Sequence, residues 1–359
     1  MNRQNQLSKI VIKGFKSIKG CELDLGNINV LIGANGAGKS NFISVFEMLQ
    51  KILASELTNY ALKKGIEPLL YNGKEATDSI SAEFYFGENL YSFEVEWTDN
   101  DSLIFREERV ESDGSTWGDG GYNETKLWDA INLGLVDPVN LPENKPTVYQ
   151  FNNTSPTAKM KSENSAGDYD TLHWDASNLA VYLYHLREQY PDAYQKILRA
   201  IQRVAPYFKD FELKPKAENN EQIVLRWKQK DYDSTLLPSQ LSDGTLRFIC
   251  LATLLLQPEE LQPATIIIDE PELGLHPYAI TYFAELVKKV ATRKQIILAT
   301  QSVELLDHFQ PEDVIVVDRT ADGSAFKRLD ADKLAAWLED DYSLGELWNK
   351  NLFGGRVAR

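Results

Sequence analysis

Cysteine is nearly absent: Cys21 and Cys250 are the only two in 359 residues. They lie far apart among apolar neighbours, which excludes a disulfide framework as the device that organises the fold. Histidine is scarce too, with four. His173, His185, His276 and His308 are scattered, without the close spacing of a zinc site. Long apolar runs are missing too. The longest, near Phe248–Leu256, is far short of the ~20 residues that span a bilayer. No secretory apolar core follows the first charges, so the expected location is the cytoplasm, with no membrane partner. There is no internal repeat and no heptad run long enough for a coiled coil. Positive charge is in deficit: 38 Lys and Arg against 53 Asp and Glu leave a formal net charge of −15. Such a surface does not suit a protein that coats DNA through phosphate contacts.

What is present is an ordinary globular composition, 43% hydrophobic and 25% charged, in a chain long enough for one large domain or two ordinary ones. Alternation around Ile10, Ile12, Cys21, Leu23 and Leu25 predicts a β-hairpin over 8–25. Ile28–Ile32 has the pattern of a buried strand. From Asn41 onward, Phe42, Val45, Phe46, Leu49, Ile52 and Leu53 form one apolar stripe of a helix. Two or three antiparallel strands are expected over 79–112. The pattern weakens from 113 to 175, where 152–170 reads as a long loop. A helix pair is expected at 176–189 and 191–204, with Pro191 suited to a first turn, and a strand pair at 211–215 and 222–228. The last third alternates again: helix 246–256, strand 265–268, helix 278–291, strands 295–299 and 314–317.

Between the strand at 28–32 and the helix that follows lies Gly33-Ala34-Asn35-Gly36-Ala37-Gly38-Lys39-Ser40, a phosphate-binding loop in its required setting. Its glycines let main-chain N–H groups turn toward phosphates, and the helix N-terminus adds its positive end. Lys39 would reach the β- and γ-phosphates of ATP, and the Ser40 hydroxyl would bind Mg2+. Thr265–Ile268 is an apolar strand ending in Asp269 and Glu270. Asp269 would hold Mg2+ directly or through water, and Glu270 would polarise the attacking water as general base.

Leu241-Ser242-Asp243-Gly244-Thr245-Leu246-Arg247 resembles the signature of ABC-type ATPases, in which Ser and Gly bind the γ-phosphate of a nucleotide held by a second subunit. Ser242 or Asp243 would cap the helix, and Gly244 would allow close approach. Glu272-Leu273-Gly274-Leu275-His276-Pro277 resembles the D-loop of SMC, RecF and OLD-like ATPases, which runs along a dimer interface. Ser242, Asp243, Gly244, Leu273, Gly274 and His276 are thereby implied at that interface. Gly14-Phe15-Lys16-Ser17 is also similar to this clade and makes Lys16 a candidate near the nucleotide. So are Gly33, Asn35, Gly36, Ala37, Gly38 and Asn41 as lining residues. The tail Leu352-Phe353-Gly354-Gly355-Arg356 is family-like. Where the clade usually carries a switch histidine, Ala299-Thr300-Gln301-Ser302 places Gln301. It could sense the γ-phosphate but carry no proton, which implies slow turnover. No Q-loop glutamine is identifiable.

The resemblance implies an α/β fold, an ABC-ATPase head with a P-loop core sheet, an antiparallel β subdomain and a mainly helical middle insertion. The expected segments are an N-terminal lobe 1–112, an insertion 113–235, a C-terminal lobe 236–318 and a tail 319–359. It further implies a homodimer closing around ATP and Mg2+, regulating a separate effector in DNA maintenance or anti-phage defence. An OLD-like nuclease, a RecF-like recombination factor and a transporter subunit are the alternatives. The nuclease would need metal-binding carboxylates, for which the tail offers Asp330, Asp332 and Asp340 within some 40 residues, too few for an ordinary domain. Finally, Lys196, Arg199, Arg203, Lys209, Lys214, Lys216, Arg226, Lys228 and Lys230 outnumber Asp210, Glu212, Glu218 and Glu221 over 196–230. With Phe208 and Trp227 among them, this segment is a candidate nucleic-acid or acidic-partner face.

Overall fold

The computed structural model describes residues 6–112, 114–136, 146–165, 167–214, 222–339 and 342–354. Lys216, Glu218, Glu221, Asp340, Gly355 and Arg356 lie outside them. In chain order the strands are β1 Leu7–Phe15, β2 Ile18–Asp24, β3 Ile28–Ile32, β4 Ser79–Phe86, β5 Asn89–Trp97, β6 Leu103–Ser112, β7 Ser115–Asp119, β8 Thr147–Tyr149, β9 Asn164–Ser165, β10 Phe208–Phe211, β11 Gln222–Ile223, β12 Trp227–Gln229, β13 Thr235–Leu236, β14 Thr265–Asp269, β15 Gln295–Thr300, β16 Val314–Thr320 and β17 Gly323–Arg328. The helices are α1 Lys39–Leu53, α2 Leu57–Lys64, α3 Leu127–Asn132, α4 Leu179–Gln189, α5 Pro191–Val204, α6 Asp243–Leu256, α7 Pro277–Ala291, α8 Val303–Leu306, α9 Ala331–Glu339 and α10 Leu344–Asn349. No helix among the described residues is long and apolar enough to cross a membrane.

The chain forms two compact units, each discontinuous in sequence. The first comprises Met1–Val148, Pro263–Ile267 and Arg293–Arg359, the second Tyr149–Gln262 and Ile268–Thr292. β14 begins in the first, and its last two residues belong to the second.

The first unit is built on two six-stranded sheets. One has the order β2-β1-β4-β5-β6-β7, with every pairing antiparallel. Its strands alternate as amphipathic strands must: in β4, Ile80, Ala82, Phe84 and Phe86 point inward and their neighbours do not. Within it Glu108 is 0% exposed. Its carboxylate accepts hydrogen bonds from Tyr91 Oη (2.8 Å), Tyr122 Oη (3.0 Å), Thr125 Oγ1 and Lys126 N (3.1 Å), so a buried acid fastens the chain after β7 to the sheet.

The other sheet runs β17-β16-β3-β15-β14-β8. β3 pairs in parallel with both β15 and β16, while β17 returns antiparallel to β16. β3 is therefore central, and its run Val30–Ile32 is fully buried, as strands covered on both faces are. The stripe of α1, from Phe42 to Leu53, packs into the same core as Leu31, Ile267, Ile297 and Ile315. Fully burying one such side chain stabilises by about 1.5–3 kcal/mol.

The second unit packs α5 and α7 against α6, an almost wholly apolar helix buried from Leu246 to Leu255. α4 and α5 are the expected helix pair. The expected strand pair is placed differently. β10 lies over 208–211 and meets β12 at 227–229, because Phe208, Phe211 and Trp227 are the apolar anchors. Features not foreseen include the hairpin partner β17 and the helices α2, α3, α8, α9 and α10 of the first unit. The α/β architecture, with a P-loop core sheet and an antiparallel sheet, is the one the resemblance implies.

Candidate functional site

The phosphate-binding loop leaves β3 at Gly33 and enters α1 at Lys39. Gly38 has φ 121°, a conformation that side chains strongly disfavour, and a Cβ there would lie 2.0 Å from Ser324 Oγ. The loop is braced from outside by hydroxyls. Asn41 Nδ2 donates to Ser17 Oγ (2.7 Å), Ser17 and Ser324 share a hydrogen bond (2.7 Å), and Ser324 Oγ donates to the Ala37 carbonyl (2.6 Å). Lys39 is buried, and its ammonium donates to the Gly33 and Ala34 carbonyls at 2.6 and 3.1 Å. Asn35, Gly36 and Ser40 are exposed. Such a loop, with a resident ammonium and an exposed hydroxyl at the start of a helix, fits a triphosphate and a hard cation.

Two more candidates border the loop within the first unit. The β15 register pairs Thr300 with Ile32, so Gln301 and Gly33 leave neighbouring strands together. Gln301 is exposed, and Ser302 behind it caps α8 by accepting from Leu305 N. Lys16, at φ 50° in the β1–β2 turn, donates to Ser44 Oγ (2.7 Å), one helical turn beyond Ser40. Burial holds its ammonium below the usual lysine value.

The second unit holds the remaining candidates. Asp269 ends β14 buried, and its Oδ2 accepts from Gln150 Nε2 at 3.4 Å. Gln150 directly follows β8, the strand after β14 in the sheet order. Motif reading offered no glutamine here, since it sought one between α1 and the strands that end with β6, and Gln150 comes later in the chain. An amide beside a carboxylate is a donor set for a hard cation. Glu270 follows with φ 48°, an uncommon left-handed conformation for glutamate that turns the chain sharply out of the strand.

Ser242 is the N-cap of α6, its Oγ accepting from Thr245 N at 3.2 Å. Lys161 lies 3.7 Å from Asp243. A Cβ on Gly244 would sit 2.3 Å from the Gly274 carbonyl, so the signature and the loop after Glu270 touch backbone to backbone. Leu273, 45% exposed, and His276 are at the surface beside them. His276 caps α7, its Nδ1 accepting from Tyr278 N at 3.3 Å.

The basic segment is less free than its composition implies. Lys214 and Lys228 pair with Glu212, and Arg203 pairs with Glu285 and bonds Tyr278. Trp227 and Phe208 stack on each other at 5.5 Å and are buried, so neither ring is a surface platform for bases. In the tail, Asp330 pairs with Lys333. Among the described residues no group of three or more His, Cys, Asp and Glu side chains could hold a metal ion.

Comparison with known proteins bears on the family and the fold. Residues 28–307 match the family described as AAA domain, putative AbiEii toxin, Type IV TA system. The chain is 24% identical over 369 residues to the Old nuclease of Escherichia phage P2, which covers 92% of this chain and 62% of that protein. Over 71 residues it is 32% identical to the DNA replication and repair protein RecF of Vibrio campbellii, 19% of this chain and 20% of that one. It thus spans less than two thirds of either relative. Among solved structures, an Smc head bound to the C-winged helix domain of ScpA superposes with a TM-score of 0.62 at 15% identity, covering 92% of this chain and 99% of that one. An Smc head with an extended coiled coil, bound to the C-terminal domain of ScpA derived from Pyrococcus furiosus, gives 0.55 at 15%, covering 93% and 98%. At such identity these two establish the fold.

Proposed function

The chain belongs to the AAA family described as putative AbiEii toxin, within the SMC, RecF and OLD-like clade of ATPases, and from that premise we propose that it is a slow, ATP-switched clamp. Lys39 and the loop amides would bind the phosphates of ATP, with Asn35, Asn41 and Lys16 around them. Ser40 and Asp269 would hold Mg2+, with Gln150 beside the carboxylate. The bound cation would neutralise charge on the phosphates; the protein's own part is to orient the water through Glu270 and to report the γ-phosphate through Gln301. Ser242 and Gly244 of a second copy would complete the pocket, with Asp243, Leu273, Gly274 and His276 along the join.

The observation that supports this reading best is the backbone contact of Gly244 with Gly274. It sets the signature beside the loop that leaves the candidate base, so both are presented on one surface. Binding of the γ-phosphate then favours the paired state, and its loss releases it. The expected task is control of a separate effector in DNA maintenance or anti-phage defence. Glu270→Gln should bind ATP, lose hydrolysis and elute as a dimer on sizing chromatography. A monomer at saturating ATP would remove the clamp and leave nucleotide binding standing.

The similarity to the Old nuclease over 92% of this chain favours a second reading, the ATPase part of a nuclease. Cleavage of DNA by the purified chain with Mg2+ or Mn2+ would decide for it.

A further inference from the structure

Arg247 lies in the second turn of α6 and is 4% exposed. Three main-chain carbonyls from two other segments accept from its guanidinium. Nε donates to Phe151 O at 3.1 Å, Nη2 to Asn152 O at 3.2 Å, and Nη1 to Leu273 O. Phe151 and Asn152 follow Gln150, whose amide meets Asp269. Leu273 lies in the loop that leaves Glu270. α6 itself opens with Ser242 and Gly244. One side chain therefore joins the three segments of this unit that carry the candidate nucleotide-contacting groups.

A packing role alone does not account for it. A buried cation satisfied by neutral dipoles costs more to desolvate than an apolar side chain of similar volume. What a guanidinium adds is a planar fork of five donors that can hold several acceptors in fixed relation. The surroundings are equally tight. Gly274 has φ 71°, and a Cβ there would lie 2.7 Å from Arg247 Nη1.

We propose that Arg247 is a positioning residue that makes the signature, the segment after Gln150 and the loop after Glu270 move as one body. Through it, a change at the Gln150–Asp269 pair is carried to Ser242 and Leu273 on the pairing surface. It touches no nucleotide and acts only through backbone. The inference rests on the ATPase reading above.

The test uses Arg247→Met, Arg247→Lys and Gly274→Ala in the full chain. Because the phosphate loop is untouched, Arg247→Met should bind ATP within about threefold of wild type while kcat and ATP-dependent pairing fall roughly tenfold or more. Arg247→Lys, charged but without the fork, should recover only part of the loss. Hydrogen exchange without nucleotide should show peptides over 149–153 and 270–276 losing protection together in Arg247→Met, while the peptide over 33–40 keeps its own. Gly274→Ala should reproduce the kinetic defect, and the double variant should be no worse than the poorer single one. Unchanged exchange in the two peptides, a kcat equal to wild type, or two defects that multiply independently would overturn the proposal. Should wild type itself fail to hydrolyse ATP, the ATPase reading falls, and the exchange result still decides whether Arg247 links the segments.

Discussion

Ser324 donates a 2.6 Å hydrogen bond to the carbonyl of Ala37, so a residue of the β16–β17 hairpin holds the phosphate-binding loop from behind. With Ser17 and Asn41 it completes a relay that starts on α1 and ends in the loop. Ser324→Ala would strand a buried carbonyl, at a cost of about 1–3 kcal/mol. We expect a lower melting temperature and ATP affinity weaker by several-fold, read by thermal unfolding and titration calorimetry. If both stay at wild-type values, the relay is incidental.

Gln301 and Gln150 should separate by the step each affects. Gln301→Ala is expected to lower kcat about tenfold with little change in ATP binding, as for a group that acts on the γ-phosphate during reaction. Unchanged rate and affinity would remove its assignment. Gln150→Ala should instead raise the Mg2+ concentration needed for half-maximal rate, and an unaltered Mg2+ dependence would argue against its place beside the cation.

Trp227 serves the core, not a ligand. Trp227→Ala should cost about 3–5 kcal/mol, as other large buried aromatics do, measurable by denaturant unfolding. If the segment also contacts nucleic acid, the groups that do so are the exposed Lys196 and Arg199. Reversing both charges should weaken binding to a labelled oligonucleotide and flatten its salt dependence. A variant that binds as wild type does would end that reading of the segment.

Both thiols should be silent in the native protein. Burial pushes Cys21 and Cys250 up to about 12 from an ordinary value of 9.0. A folded-state value raised for an acid means that the unfolded chain sheds its protons first. Stability is therefore intact below pH 9 and declines from there toward 12, by up to about 1.4 kcal/mol per pH unit for each thiol. Buried tyrosines such as Tyr60 and Tyr149 are raised by the same cause and add to the decline at higher pH. Iodoacetamide at pH 8 should label neither cysteine until the chain unfolds. Rapid native labelling would contradict the burial of both.

How much of this was legible depended on distance along the chain. The phosphate loop, the strand ending at Asp269 and the capped helix at Ser242 are each local: their chemistry sits in eight or fewer consecutive residues, and period alone places them on strand, loop or helix. The braces were not legible. Ser324 meets its partner 287 positions away, and Gln150 meets Asp269 across 119, with no periodic signal to join them. Phe208 and Trp227 misled for a related reason. Aromatics amid lysines look like a binding face in one dimension, but strand pairing turns them inward while Lys209 and Lys214 between them stay at the surface. Arg247 was visible only as a letter of the signature; its three carbonyls come from segments fixed by tertiary structure.

The central position of β3 also bears on how the protein is made. β3 carries the loop, yet its two sheet neighbours, β15 and β16, come from the far third of the chain. A ribosome adding roughly 5–20 residues per second takes about 15–60 s to cover the 287 residues from Ala37 to Ser324. Through most of that interval, until β15 and β16 are made, the nascent chain carries a finished nucleotide motif without the sheet that shapes it. ATP can first assist folding only once β15 and β16 have been made, and a chain stalled before β15 should be unable to bind it.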